Sequence, residues 1–415
     1  MAIGAKLLDR LLKRTVRVGR LELTYPDGRT ITYGQRTACP VRVRIDNARW
    51  LGRVVLNPEL RVGEAYMEGV LMPRGRSIYD LLDLVWINFY GEDHKGQNRL
   101  PVRLLRTMQS SNPPSRARQN VAHHYDLGDP LYRLFLDDDM QYSCAYFDRP
   151  DMSLDEAQIA KKEHIARKLL IQPGHRVLDI GSGWGGLALD LARRGAADVL
   201  GITLSSEQLT TARRRAVEQG VSDRVHFELI DYRALDGRFD RIVSVGMLEH
   251  VGPRHYAEYF AQIARFLADD GVALIHTIGR TTPPGVTNPW IDKYIFPGGY
   301  IPALSEIMQH VEKYRLQVLD IEVLRLHYAE TLRAWRKRFL DNADKAAELY
   351  DERFVRMWDF YLSGSELSFR HGDHAVFQLQ LGRRQDAAPL TRDYMYGSPS
   401  PNAASQAERS VKQAV

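Results

Sequence analysis

Residues 177–186 read VLDIGSGWGG, and this run constrains the fold more than any other part of the 415-residue chain. Val177, Leu178 and Ile180 make a short apolar strand, and the glycines then turn the backbone sharply into the helical pattern of ALDLARRG. Glycine tolerates positive φ and lets a ligand approach the main chain, so such a loop is where a small molecule meets backbone. Gly181, Gly183, Gly185 and Gly186 give G-x-G-x-G-G. That is neither the phosphate-binding G-x-x-x-x-G-K-S/T pattern nor the dinucleotide pattern G-x-G-x-x-G. Asp179 places a carboxyl in the strand just before the loop.

From about residue 120 the chain alternates helical and strand-like segments. LDEAQIAKKEHIARKLL, SEQLTTARRRAVEQG and HYAEYFAQIARFL carry helical spacing; RVLDIG, DVLGITLS, RVHFELID, FDRIVSVG and GVALIHTIG read as strands. The alternation implies βαβ units and a parallel sheet. A helical stretch over 327–363 and the strand AVFQLQLG follow. Residues 15–62 differ, with short β-rich runs (VRVGRLELTYP, RTITYG, CPVRVRID, RVVL), and SIYDLLDLVWINFY then reads as a helix capped at Ser77. The expected organisation is an α+β domain over 1–95, a linker over 96–119, an α/β domain over 120–385 and a disordered tail over 386–415.

Composition narrows the class. At 44% hydrophobic and 26% charged residues, the chain is neither wholly disordered nor a disulfide scaffold. No stretch approaches the roughly 18 apolar residues of a membrane span. Cys39 and Cys144, the only cysteines, fit a reducing cytoplasm. The net charge of +5 is uneven: residues 1–120 hold 21 Lys and Arg against 11 Asp and Glu, leaving the remainder at −5. A basic segment on an acidic body suggests an anionic partner, nucleic acid or a lipid surface, or else a merely solvated basic face. MAIGAKLLDRLLKR lacks the apolar core of a secretory signal. It reads as an amphipathic helix with Leu7, Leu8, Leu11 and Leu12 on one face, suited to lie on a membrane or to pack on its own domain.

The glycine loop preceded by Asp179 resembles the first motif of class I S-adenosylmethionine-dependent methyltransferases. Further stretches sharpen the resemblance: HHYDLG (123–128), MQYSCAYF (140–147), VLGITLSSEQ, MLEHVG (247–252), HTIG (276–279) and KYIFPGGYIP (293–302). In this order they resemble the cyclopropane-fatty-acyl-phospholipid synthases and the related mycolic acid cyclopropane synthases. The resemblance implies a Rossmann-like domain with a mostly parallel seven-stranded sheet, and S-adenosylmethionine held by Tyr142, Ser143, Asp179, Gly181, Gly183, Gly185, Thr203, Gln208, Asp231 and Tyr232. It also implies methyl transfer to a cis double bond of a phospholipid acyl chain. A carbocation results, and loss of a proton from the added methyl closes the ring. The family's base is a bicarbonate ion, whose cage carries over to Cys144, Glu249, His276, Ile278 and Tyr328. Backbone N–H groups near Cys144 and Ile278, the His276 imidazole and the Tyr328 hydroxyl are its expected donors.

Taken singly, these residues have plainer readings: Cys144 as a small core hydrophobe, Glu249-His250 as a helix cap, His276 as a satisfied core histidine. Arg213–Arg215 reads as a solvated helix face. Phe147, Phe296, Tyr300 and Phe360 are candidates for an acyl channel or for ordinary core. His123-His124 has no partners at metal-ligand spacing, so no metal is expected. Ser182 stands where the family commonly has Cys, and Ser365 where some members carry a cysteine. The expected setting is cytoplasmic and peripheral at the inner face of the cell membrane, with unsaturated phospholipid as partner, no nucleic acid and a homodimer as an option. The same cation can instead yield a methylene- or methyl-branched chain. Nucleic-acid binding finds no interleaved aromatics in the basic segment. A non-catalytic lipid-surface protein is the remaining alternative.

Overall fold

The computed structural model describes residues 3–89, 128–196 and 198–396. The expected linker and residues 123–127 of HHYDLG lie outside these, as does 397–415.

In the first part, strands Arg20–Thr24 (β1), Thr30–Gly34 (β2), Pro40–Ile45 (β3) and Leu71–Arg74 (β4) form a sheet of order β2-β1-β3-β4. The alternating pattern of β3 turns Val41, Val43 and Ile45 inward and leaves Arg42 outside. Helix Ile3–Thr15 buries Ala5, Leu8 and Asp9 but leaves Leu7 exposed, and it packs on helix Ala48–Leu56. RVVL, expected as a strand, is the end of that second helix. Asn47 caps it by accepting from the Arg49 N–H, and Leu51 and Val54 share its buried face. The three-residue spacing outweighs the β preference of the valines. Helix Ile78–Phe89 closes this part. It begins where the Ser77 backbone N–H and hydroxyl both donate to Asp80 (2.9 and 2.7 Å).

The second sheet has seven strands: Arg176–Ile180 (β5), Asp198–Thr203 (β6), Val225–Leu229 (β7), Phe239–Val245 (β8), Leu267–Arg280 (β9), Gln317–Leu324 (β10) and His374–Gly382 (β11). Their order is β10-β11-β9-β8-β5-β6-β7. Only β11 runs against its neighbours. β5 is apolar on both faces because helices cover both, as parallel sheets require. Helix Leu154–Lys168 starts at a capping box: the Ser153 N–H donates to Glu156 Oε2 at 2.8 Å and the Glu156 N–H returns to Ser153 Oγ at 3.3 Å. Helices His327–Asp341 and Glu352–Arg370 lie together over one end of the sheet and enclose an aromatic core. Residues 386–396, expected as the start of a disordered tail, are folded instead. Met395 is buried, Tyr394 donates to Gln380 (2.8 Å) and Arg392 pairs with Asp320 (2.5 Å).

The two parts meet through buried polar ties. Glu64 accepts from Lys293 (2.8 Å) and Tyr294 (2.9 Å). Asp359 accepts from Tyr66 (3.1 Å) and Arg336 (2.7 Å). Phe360 packs against the cores of both parts.

Candidate active site

The turn after β5 is what the glycine pattern predicts. Gly185 has φ +84°, and a Cβ there would lie 2.7 Å from the Phe227 ring, so no other residue fits without displacement. At Gly186 a Cβ would lie 2.4 Å from both Asp139 Oδ2 and Gln141 Nε2. Its absence lets the 139–144 segment close over the loop. That segment is pinned by charge: Asp139 accepts from Lys162 at 2.6 Å and pairs with Arg215, which also donates to the Trp184 carbonyl at 2.9 Å. Arg215 is therefore a clamp. It is not part of a solvated face.

The result is a cleft at the carboxyl ends of β5, β6 and β8, where open α/β sheets bind ligands. Its free space, open mouth included, is about 1060 Å³. Tyr142, Ser143, Asp179, Gly181, Gly183, Thr203, Gln208, Asp231 and Tyr232 line it. Gly185 does not. It caps the following helix and faces Phe227. Thr203 Oγ1 donates to Gln208 Oε1 (2.9 Å), and Arg233 holds Asp231 at 2.6 Å. Asp179 is buried with Oδ2 unpartnered, and burial pushes its pKa up to about 7. Lys161 also lines the cleft. It is fully buried, donates to Gln141 Oε1 and Ser143 Oγ (both 2.8 Å), and burial lowers its pKa to about 8.

Lys161, Asp139 and Arg215 do not stand out in the sequence by motif. The usable signal is periodicity: in AQIAKKEHI, Lys161 falls on the same buried stripe as Ala157 and Ile165. A lysine on such a stripe needs partners, and here it finds them.

Beside the cleft, Tyr142 opens into an aromatic basin. Its ring centroid is 5.1 Å from Trp335 and 5.2 Å from Tyr132, and its hydroxyl meets Tyr361 at 2.9 Å. Cys144, Tyr328 and Ile278 belong to this basin. Burial raises the Cys144 thiol well above its ordinary pKa, so it is no thiolate at neutral pH. The Ala145 N–H donates to Thr331 Oγ1 (3.0 Å), tying the Cys144 segment to the helix that carries Tyr328.

Glu249, buried in the short helix Leu248–Val251, accepts from the Ile278 N–H at 2.5 Å. Of the N–H groups near Cys144 and Ile278 expected to face an anion, those of Ala145 and Ile278 are thus engaged, because a buried carboxyl and a buried hydroxyl both demand partners. Glu249 Oε2 has none among the described residues, and burial lifts the carboxyl to about 7. His276 lies two residues before Ile278 on β9. The Gln378 amide reaches its Nδ1 at 3.2 Å across the β9–β11 ladder, and burial lowers its pKa to about 3, so the ring is neutral. The structure therefore joins Glu249 to Ile278 and places Cys144, Tyr328 and Ile278 in or against one core. It sets His276 alongside without a direct bond to the others among the described residues. Of the aromatics considered for an acyl channel, Phe147, Phe296 and Phe360 flank the basin, whereas Tyr300 packs in a different core and donates to Glu306 (2.8 Å). Among the described residues no His, Cys, Asp and Glu group could hold a metal, and no helix is long and apolar enough to cross a membrane.

Comparison with known proteins places this geometry. Residues 113–379 match the family model for mycolic acid cyclopropane synthetase, and residues 7–88 match a domain of unknown function. A probable fatty acid methyltransferase of Pseudomonas putida is 42% identical over 375 residues, 86% of this chain and 91% of that protein. The cyclopropane-fatty-acyl-phospholipid synthase of Escherichia coli K12 is 39% identical over 355 residues, 83% of this chain and 89% of that protein. Among solved structures, the mycolic acid cyclopropane synthase CmaA1 in complex with SAH and CTAB superposes with a TM-score of 0.61 at 34% identity, covering 65% of this chain and 99% of that one.

Proposed function

This chain belongs to the mycolic acid cyclopropane synthetase family and is an S-adenosylmethionine-dependent methyltransferase, and on that premise we propose that it converts a cis double bond of a phospholipid acyl chain into a cyclopropane ring, with bicarbonate as the base. The observation that carries this reading is the junction at residues 142–144. There a cleft suited to a nucleoside with an amino-acid head meets an aromatic basin beside one buried, half-partnered carboxyl group.

When bound, S-adenosylmethionine supplies an electrophilic methyl group. Tyr142, Ser143, Asp179, Gly181, Gly183, Thr203, Gln208, Asp231 and Tyr232 would hold it, with Gly185 shaping the loop. The alkene would take that methyl group as the nucleophile, its carbon–sulfur bond breaking to leave a neutral thioether, and would be left with a positive charge on carbon. Tyr142, Tyr328 and Trp335 would supply electron-rich rings near that charge and exclude the water that would capture it. The ring closes as a proton leaves the added methyl carbon. Bicarbonate held among Cys144, Glu249, His276, Ile278 and Tyr328 would supply a base without a thiolate or amine to be alkylated. Of the donors expected for the anion, the His276 ring keeps an N–H that no described residue takes, and the Tyr328 hydroxyl belongs to the adjoining core. With Gln378 donating to Nδ1, the His276 proton sits on Nε2. A carboxyl held near 7 by burial is partly ionised at neutral pH and would accept the ion's own proton.

The test is incubation of the pure protein with S-adenosylmethionine and vesicles of cis-monounsaturated phospholipid. Acyl chains heavier by one methylene group are expected; unchanged chains from a protein that binds the cofactor would refute the reading.

The basic part of the chain, 1–95, is proposed as the lipid-facing domain, docking at the inner face of the cell membrane. Each Lys or Arg near an anionic surface contributes about 1 kcal/mol, screened by salt. Vesicle sedimentation should show binding that weakens with added salt and requires anionic lipid. Binding indifferent to both would contradict this role.

A further inference from the structure

The cofactor cleft contains one buried pair of opposite charge that the lipid chemistry does not use. Lys161 and Asp179 both line it, Lys161 from helix Leu154–Lys168 and Asp179 from the end of β5. Each is buried, and they lie close enough for the ammonium to favour the ionised carboxyl. Each also has unused hydrogen-bonding capacity. Lys161 spends two of its three N–H bonds on Gln141 Oε1 and Ser143 Oγ (2.8 Å each) and has no further acceptor among the described residues. Asp179 Oδ2 has no donor among the described residues. Buried groups in this state are costly unless something completes them.

The opposite end of the cleft is of another kind. There Asp231 is neutralised by Arg233, and Ile230 and the Tyr232 ring supply flat apolar surface suited to a base. The cleft thus has a nucleoside end and a zwitterion end. An α-amino acid head carries one carboxylate and one ammonium on adjacent carbons, which is the complement of a lysine beside an aspartate.

We propose that Lys161 binds the carboxylate of the cofactor's amino-acid head through its remaining N–H, with Asp179 taking the ammonium. The assignment rests on S-adenosylmethionine as the cofactor and is independent of which lipid accepts the methyl group. It gives the sequence Gln141–Ser143 a second duty. Both side chains orient the Lys161 ammonium, so the segment that carries Tyr142 also aims the carboxylate-binding group.

The test is a matrix of binding constants by calorimetry, without lipid. The ligands are S-adenosylmethionine, its decarboxylated analogue and 5′-methylthioadenosine, which lacks the amino-acid head. The wild-type protein is expected to prefer S-adenosylmethionine over the decarboxylated analogue by about tenfold or more, the range of a charge-assisted bond. In Lys161→Met that ratio should fall towards one while methylthioadenosine binds as before; Lys161→Arg should restore part of the preference. A Lys161→Met protein that keeps the wild-type ratio would overturn the proposal. So would one that loses all three ligands equally, which would make Lys161 only a structural tie for residues 141–143. A wild-type protein that binds none of the ligands would remove the cofactor reading and this assignment together. Failure of lipid turnover with the ratios intact would count against the acyl-chain reading alone.

Discussion

Glu249→Gln is expected to lower turnover by roughly 10²–10⁴-fold, the range of a positioned proton-transfer group, and to leave cofactor affinity unchanged. Glu249 lies outside the set of residues that line the cofactor cleft, which is why binding should survive. Its Oε1 is spent on the Ile278 N–H and its Oε2 is the unpartnered atom. Glutamine keeps the shape and the first contact but loses the titratable proton. The same variant has a stability signature. Burial holds the Glu249 carboxyl at about 7, above its ordinary 4.5. Between those values the folded protein keeps a proton that the unfolded chain has released. The contribution of Glu249 is therefore fully present below the lower value and is lost as pH rises through the window, by on the order of 3 kcal/mol. His276, lowered by burial to about 3, contributes in the opposite sense, so the signature is a difference between two proteins. Urea titrations of the ligand-free wild type and of Glu249→Gln at matched pH should show the wild type's relative stability declining by that amount from pH 4.5 to about 7. Full turnover by the Gln variant would remove Glu249 from the proton path.

Trp335→Ala should cost about 3–5 kcal/mol of stability, the usual range for emptying a buried aromatic site. Trp335 is fully buried in the basin, with ring centroids 5.1 Å from Tyr142, 5.7 Å from Tyr328 and 6.1 Å from Phe135. Its loss removes one wall and opens a space large enough for water beside the reacting carbon. Turnover should fall, and hydroxylated acyl chains from water capture should appear. Trp335→Phe keeps a ring face and discards an indole N–H that has no partner, so it should cost much less. Thermal melts and product analysis of the two variants separate packing from cation stabilisation. An Ala variant as stable and as selective as wild type would contradict the basin's role.

Much of this was legible in the sequence because its signals are local. VLDIGSGWGG announces a strand, a turn that only glycine can make and a helix, and the cleft forms there. Thr203 follows from its place at a strand end, and Gln208, Asp231 and Tyr232 from the turns and helix start just beyond strand ends. What escaped depends on distance in the chain. Asp139 meets Arg215 across 76 residues, and Gln378 meets His276 across 102. No spacing rule reports such pairs. The engagement of Ile278 by Glu249 is similar: the motif shows that both residues are present, but only packing shows that the N–H is spent on the carboxyl. RVVL went astray because β-branched residues suggest a strand, while the Asn47 cap and the burial of Leu51 and Val54 favoured a helix.

The central claim, ring formation on an acyl double bond, is tested most directly by proton magnetic resonance of the lipid product. Vesicles of cis-monounsaturated phospholipid are treated with the enzyme and S-adenosylmethionine, and the acyl chains are recovered. The account predicts the high-field signal of a cyclopropane methylene group, together with loss of the vinyl protons. A new methyl doublet or an exocyclic methylene signal in its place would show that the cation takes another course and would contradict ring closure.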